Sequence, residues 1–310
     1  MSAPLSRGTV LLFFTIITVI WGSTWIVIRD QLGVVPAHWS VAYRFVIATA
    51  AMAAYAQWHG AGLRLPPGAW KLALVFGFFQ FCVNFNAVYL AEHHVTSGLV
   101  ACVFALLLIP NSLLAWAWTG HRPSRSFILS AIPAIAGIVL LFWNEVQSAR
   151  APVDQALLGI GLTLIGVLGA SISNVLQTTP AARALALPTM LTWGMAFGAM
   201  FNIAFAAVVS GSPVFDPRPG YWIGLIYLAV FASALAFSLY LPIIRTIGSG
   251  RAAYSSVLVP IIAMGLSTVF EGYRWSTLAV AGAALAIAGM LWALASARTG
   301  GSVQASDAAG

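Results

Sequence analysis

Apolar residues run along this chain in long blocks, with polar residues confined to short bursts between them. An α-helix needs about 20 apolar residues to cross a bilayer. Ten such blocks fit the chain: 9–28, 37–57, 69–91, 96–118, 126–143, 156–177, 188–209, 221–241, 252–270 and 276–295. The breaks carry helix-stopping punctuation: Gly33 and Pro36, Pro66-Pro67-Gly68, Pro123, Pro152, Pro188, Pro213 to Pro219, and Gly248 to Gly250. The break at Glu92-His93-His94 is so short that blocks three and four form a tight antiparallel hairpin. The first block is too long for the apolar region of a signal peptide, and no small-x-small cleavage site closes it, so it reads as the first span. Residues 298–310, rich in Ser, Gly and Ala, read as a disordered tail.

Composition narrows the class further. Of 310 residues, 61% are hydrophobic and 7% are charged, against about 25% charged in soluble chains. Mean hydropathy is +0.94. Ten spans leave room for loops and a tail, but for no soluble catalytic domain. The high pI of 9.9 comes from scarce acids and not from basic clusters, which argues against nucleic-acid binding. Cys82 and Cys102 lie inside apolar blocks and read as small buried side chains, with no disulfide or metal framework.

Basic residues set the expected orientation. With the N-terminus inside, Arg7, Arg64, Lys71, Arg122, Arg125, Arg183, Arg245, Arg251 and Arg298 fall on the cytoplasmic side, nine against the four of Arg29, Arg150, Arg218 and Arg274. Both termini are then cytoplasmic. Trp39, Trp58, Trp70, Trp143, Trp222 and Trp275 stand at block ends, as an interfacial belt requires.

The two halves of the chain echo one another. Ala134-Ile135-Ala136-Gly137 recurs as Ala286-Ile287-Ala288-Gly289, and Gly120-x-Arg122-x-Ser124 as Gly272-x-Arg274-x-Ser276. Tyr89-Leu90 matches Tyr240-Leu241, and Pro110 matches Pro260, at nearly the same offset. Each half (1–148 and 149–297) holds five blocks, an odd number, so the second enters the membrane inverted. Inverted repeats are a mark of carriers, whose substrate site lies near the midplane between the halves.

The chain resembles the drug/metabolite transporter superfamily, in its ten-span branch built from two EamA-type halves. Trp21-Gly22-Ser23, Arg44-Phe45-Val46-Ile47-Ala48, the mid-span prolines Pro110 and Pro260, and the small-residue-rich fifth and tenth blocks carry the likeness, over about 9–295. It departs where the family often has Glu after the glycine ending span four; here His121 follows Gly120. Within the superfamily the chain is most similar to the YddG type of exporter. That resemblance implies aromatic and other neutral amino acids as substrates and export across the inner membrane.

Polar residues within the blocks are the candidates for binding, since each is expensive in lipid without a partner or a wet cavity. Gln80 and Asn84 share a helix face in block three; Ser171, Asn174 and Gln177 share one in block six. Asn111 follows Pro110, and block eight offers Ser233, Ser238 and Tyr240. Amides suit a zwitterion, because they donate to a carboxylate and accept from an ammonium. Interhelical hydrogen bonds use the same residue types. Trp21 and Trp193 are candidates for stacking on substrate. Pro110 and Pro260 are expected kinks or hinges. Arg44 sits too deep for comfort and is expected to snorkel outward or pair with Asp30, where it would attract a substrate carboxylate at the outer mouth.

Absences sharpen the reading. No acid lies near the centre of any block, which disfavours exchange of lipophilic cations for protons; a facilitator is the simpler expectation. Proton coupling would need Glu92, His93 or His94, otherwise read as a solvated loop. No metalloprotease, hydrolase-elbow or P-loop motif supports an intramembrane enzyme, and no charge ring supports a channel. The expectation is therefore an all-α integral membrane carrier of ten helices. It would work by alternating access as a monomer without cofactor or metal, moving amino acids or, alternatively, other small metabolites or drugs.

Overall fold

The computed structural model describes residues 6–120, 125–147, 152–252 and 255–307. Its long helical rods are α1 (Arg7–Gln31), α2 (Ala37–Trp58), α3 (Ala69–Ala91), α4 (Ser97–Thr119), α5 (Arg125–Gln147), α6 (Val153–Leu176), α7 (Leu187–Ser210), α8 (Pro219–Ile247), α9 (Ser255–Phe270) and α10 (Thr277–Asp307). Short helices at Pro180–Arg183 and Ser249–Ala252 join some of them. Among the described residues there is no β-strand. Seven helices among the described residues are long and apolar enough to cross a membrane. Of the rest, α2 has the length, at 22 residues, but falls short in hydropathy, while the apolar described parts of α9 and α10 are shorter.

Local chemistry explains the boundaries. Ser6 caps α1 by accepting from the Thr9 amide at 3.1 Å, satisfying one of the donors that a helix start leaves open. Gly120 ends α4 in the left-handed region, φ 76°, where a side chain would be strained. The expected tail is helical up to Asp307: no proline interrupts α10, and the helix continues through Gly300-Gly301 from its alanine-rich part. His121, Arg122, Ser124 and Arg150 lie outside the described residues.

Alternate loops gather at opposite ends of the bundle. At one end Arg218 reaches Asp30 (3.9 Å), His94 meets Gln155 (2.6 Å), and Asn144 donates to the Tyr273 hydroxyl (3.0 Å). At the other, Thr189 donates to the Gly62 carbonyl (2.7 Å) and Arg245 to that of Leu185 (3.0 Å).

Small residues set the closest helix approaches, since lipid provides no hydrophobic drive between helices and contact must come from packing. A Cβ added at Gly77 in α3 would lie 2.3 Å from the Gly194 carbonyl oxygen in α7. The pair α5 and α10 pack mainly on each other. Their two Ala-Ile-Ala-Gly segments cross antiparallel: Gly137 faces Ala286, and Gly289 faces Ala134, with 2.4 Å from an added Cβ to the opposing backbone nitrogen in both cases.

This crossing tolerates no methyl group. Gly137→Ala and Gly289→Ala are each expected to destabilise the protein by about 1–3 kcal/mol, the ordinary penalty of overpacking. Gly161→Ala in α6, where nothing lies within 4 Å, should be neutral or stabilising. Thermal unfolding of the purified variants in detergent measures the difference.

Candidate functional site

Two of the rods, α3 and α8, contain a π-helical stretch, Phe78–Val83 in α3 and Tyr227–Leu235 in α8; these fall at the same offset as the sequence repeats. A π turn widens the helix, leaves carbonyls poorly served, and recurs at functional sites. Here neighbouring side chains serve them. Trp21 Nε1 of α1 donates to the Ala232 carbonyl (3.2 Å), Asn202 Nδ2 of α7 to that of Phe81 (2.9 Å), and Ser233 Oγ to that of Leu228, five residues back (2.8 Å).

An aromatic wall stands between these stretches. Trp21 meets Tyr240 edge-on, with ring centres 4.9 Å apart, and Phe237 at 5.5 Å. Phe237 continues to Phe81 (5.2 Å) and Phe85, and both of these reach Phe45. Beside the wall, Gln80 and Asn84 are buried against α6. Asn84 Nδ2 donates to the Gln80 carbonyl (3.3 Å), while Gln80 Oε1 and Asn84 Oδ1 have no partner. On α6 the hydroxyls of Ser171 and Ser173 are likewise buried without partners, and Asn174 is buried.

The other predicted amides belong elsewhere. Asn111 Nδ2 donates to the Ser249 carbonyl (3.3 Å), and Gln177 Oε1 accepts from Arg245 Nη2 (3.0 Å), so both join the cluster at the end of the bundle where Arg245 lies. Pro110 follows a tight 3-10 turn, Ala105–Leu107, and Pro260 lies inside α9; sequence reasoning overlooked Pro133 and Pro242, also within helices. Trp193 does not face the interior: it is 36% exposed, and its Nε1 donates to the Leu63 carbonyl (2.6 Å). Its block-start position fits an interfacial anchor. Trp39 shows the opposite shift, being buried and bound to the Gly211 carbonyl (3.2 Å).

Arg44 neither snorkels nor meets Asp30. It is 1% exposed, its Nε donates to Ser233 Oγ (3.0 Å) and its Nη1 to the Tyr89 hydroxyl (3.4 Å), and Cζ lies 4.4 Å from the Phe85 ring centre. Cation–π attraction and neutral oxygens hold it in place of a carboxylate. Asp30 instead lies 3.9 Å from Arg218, which is also bound to Asp216.

At the Asp30 end a cavity of about 850 Å³ opens, lined by Arg29, Asp30, His93, His94, Thr96 and Glu271 among others. The hairpin beside it is not the solvated loop its residues suggest. Glu92 is fully buried and both its carboxyl oxygens lack partners, because Arg29 binds its backbone carbonyl and lies 3.7 Å from Glu271. Ser97 Oγ donates to Glu271 (2.6 Å). Burial pushes the Glu92 carboxyl well above the usual carboxylate range; Glu271 adds to that, and Arg29 and Arg44 oppose it. Among the described residues, no three His, Cys, Asp or Glu side chains are placed to hold a metal ion.

A carboxyl with a raised folded-state pKa binds its proton more tightly folded than unfolded. Its stabilising contribution is thus present at low pH and lost as pH rises from the unfolded value, about 4.5, through the raised one. Glu92→Gln should therefore be more stable than the parent at neutral and alkaline pH, with the gap closing towards pH ~4.5. Unfolding followed over pH in detergent checks this.

Comparison with known proteins agrees with this architecture. The model of the EamA-like transporter family matches residues 8–143 and 157–295. Protein PagO of Salmonella typhimurium is 22% identical over 87% of this chain and 88% of its own. The relative described as "uncharacterized inner membrane transporter YedA" of Escherichia coli K12 is 28% identical over 82% of this chain and 80% of its own. A crystal structure superposes with TM-score 0.69 at 20% identity, covering 93% of this chain and 98% of that one, which shows a shared fold. With family matches in both halves and seven membrane-length helices among the described residues, this multi-pass membrane protein belongs to the EamA-like transporter family.

Proposed function

We propose that the protein is an inner-membrane exporter of small neutral or zwitterionic metabolites, foremost aromatic and other uncharged amino acids. It would work by alternating access between inverted halves of five helices, with both termini cytoplasmic. Support for the halves is the reciprocal contact of α5 and α10, where each copy of the repeated segment presents its glycine to the first alanine of the other. A two-fold axis in the membrane plane relates antiparallel equivalents in that way.

The observation that carries the substrate class is the chemistry between the two π stretches. Buried oxygens of Gln80 and Asn84 without donors stand on the helix that contributes Phe81 and Phe85 to the aromatic wall, which continues through Phe237 to Trp21 and Tyr240. Unpartnered carbonyl oxygens can accept from an ammonium, and the rings match an apolar or aromatic side chain. Asn174, on the neighbouring α6, extends the same polar face. Asn111 and Gln177, at the other, cytoplasmic end with Arg245, would line the entry path and not the central site.

Counterflow in proteoliposomes tests the reading. Preloading with unlabelled phenylalanine should accelerate uptake of labelled tryptophan and threonine and leave lysine unaffected. Trp21→Ala and the Gln80→Leu/Asn84→Leu double variant should each raise the transport KM about tenfold, roughly 1.4 kcal/mol of lost binding. Absence of counterflow with every neutral amino acid would defeat the amino acid assignment.

A further inference from the structure

Two ionisable side chains lie inside this protein with no opposite charge in contact. Arg44 hydrogen-bonds only to neutral oxygens and makes no ion pair among the described residues. Glu92 is 0% exposed, with neither carboxyl oxygen partnered. Tyr89 connects them: its hydroxyl meets Arg44, and Glu92 follows three residues later on the same helix face. Each acts on the other electrostatically, yet they stand beyond ion-pair contact.

A guanidinium keeps its charge at any ordinary pH, and a buried cation requires an anion or a dense set of acceptors. The other acids nearby are occupied. Glu271 is held by Ser97 and Arg29, and Asp216 and Asp30 attend Arg218. A carboxylate arriving with the substrate fits the guanidinium's forked donors, and the Phe85–Phe237–Trp21 wall beside it fits an apolar tail.

We propose that Arg44 receives the carboxylate of the transported molecule, and that Glu92 takes up one proton as that carboxylate docks. This rests on the carrier reading above and deepens its substrate class. Charge is conserved at the site. Above the raised pKa of Glu92 the substrate-free site holds its carboxylate, which offsets Arg44; with substrate bound, the substrate carboxylate offsets Arg44 and Glu92 is neutral. The proton is delivered by a hydronium ion or buffer acid from the cavity that Arg29 and His93 line: its O–H breaks, leaving water or the buffer base, as the O–H of Glu92 forms, and no other bond changes. The groups bearing on Glu92 are Arg29 from α1, Arg44 and His38 from α2, Tyr89, His93 and His94 of its own hairpin, and Glu271 at the end of α9. Burial and Glu271 favour its neutral form. No acidic side chain lies along the aromatic wall, so the substrate's ammonium is dispensable. The class is monocarboxylates with an apolar or aromatic tail, α-amino acids among them.

Calorimetric titration of the purified protein in lipid nanodiscs with phenylalanine, 3-phenylpropanoate and phenethylamine tests this. Both carboxylates should bind and the amine should bind at least tenfold more weakly. Carboxylate affinity should fall about tenfold per pH unit once Glu92 ionises in the substrate-free protein, and buffers of different ionisation enthalpy should report uptake of one proton. Glu92→Gln should bind with no such pH dependence, and Arg44→Gln should lose binding at least tenfold, with Arg44→Lys intermediate. If Arg44→Gln fails to fold, proton uptake by the parent protein decides. Equal binding of the amine, or carboxylate binding without proton uptake, overturns the proposal. Counterflow of phenylalanine undiminished in Arg44→Gln also overturns it while leaving the carrier reading intact. Binding of 3-phenylpropanoate with proton uptake, but no amino acid counterflow, sustains the proposal and removes the amino acid reading.

Discussion

A peptide carbonyl inside a bilayer has no water to fall back on, and this fold is arranged around that constraint. Regular helices satisfy the demand within themselves. At the two π stretches, side chains supply part of what is missing. The π stretches of α3 and α8 leave carbonyls that Asn202 and Trp21 take up. The aromatic wall is positioned by those donors: Trp21 is anchored to α8 by its N–H, and that anchor holds its ring edge-on to Tyr240. Geometry that would be a defect in one helix becomes a contact between two.

The same shortage of water governs the charges. Arg218 with its two aspartates sits at the bundle's end, where solvent softens every interaction. Arg44 and Glu92 have no such relief. The protein holds the first with ring faces and hydroxyls and sets the second where burial favours its neutral form. Pairing them directly would have given a quieter interior. Interposing Tyr89 leaves both responsive to a third charge.

The helices, their order and the small-residue faces were legible in the sequence, because apolar block length, prolines and glycines act locally. The repeated Ala-Ile-Ala-Gly segments pointed to elements that do meet, though nothing in them announced that they meet each other. The site was half legible. Trp21 meets Tyr240, and Gln80 and Asn84 pack against α6, while Asn111 and Gln177 serve the opposite end and Trp193 faces outward. Polarity within a block says that a partner is needed, and only tertiary packing says which. The π stretches left no signal, since one extra residue per turn changes no composition. Glu92 misled because a loop of Glu, His and His reads as wet, and its burial depends on Arg29 binding its backbone from a helix more than sixty residues away.

The reciprocal seat of α5 on α10 has a consequence for biogenesis. The fifth helix to leave the ribosome has its partner in the tenth, and the contact is backbone against glycine, which no lipid tail fills well. While four further long helices are synthesised, that face of α5 must wait in the membrane, shielded by lipid or by the insertion machinery. The last helix therefore acts as the closing piece of the assembly, and a chain stalled before α10 would display to quality control the groove that the finished protein hides.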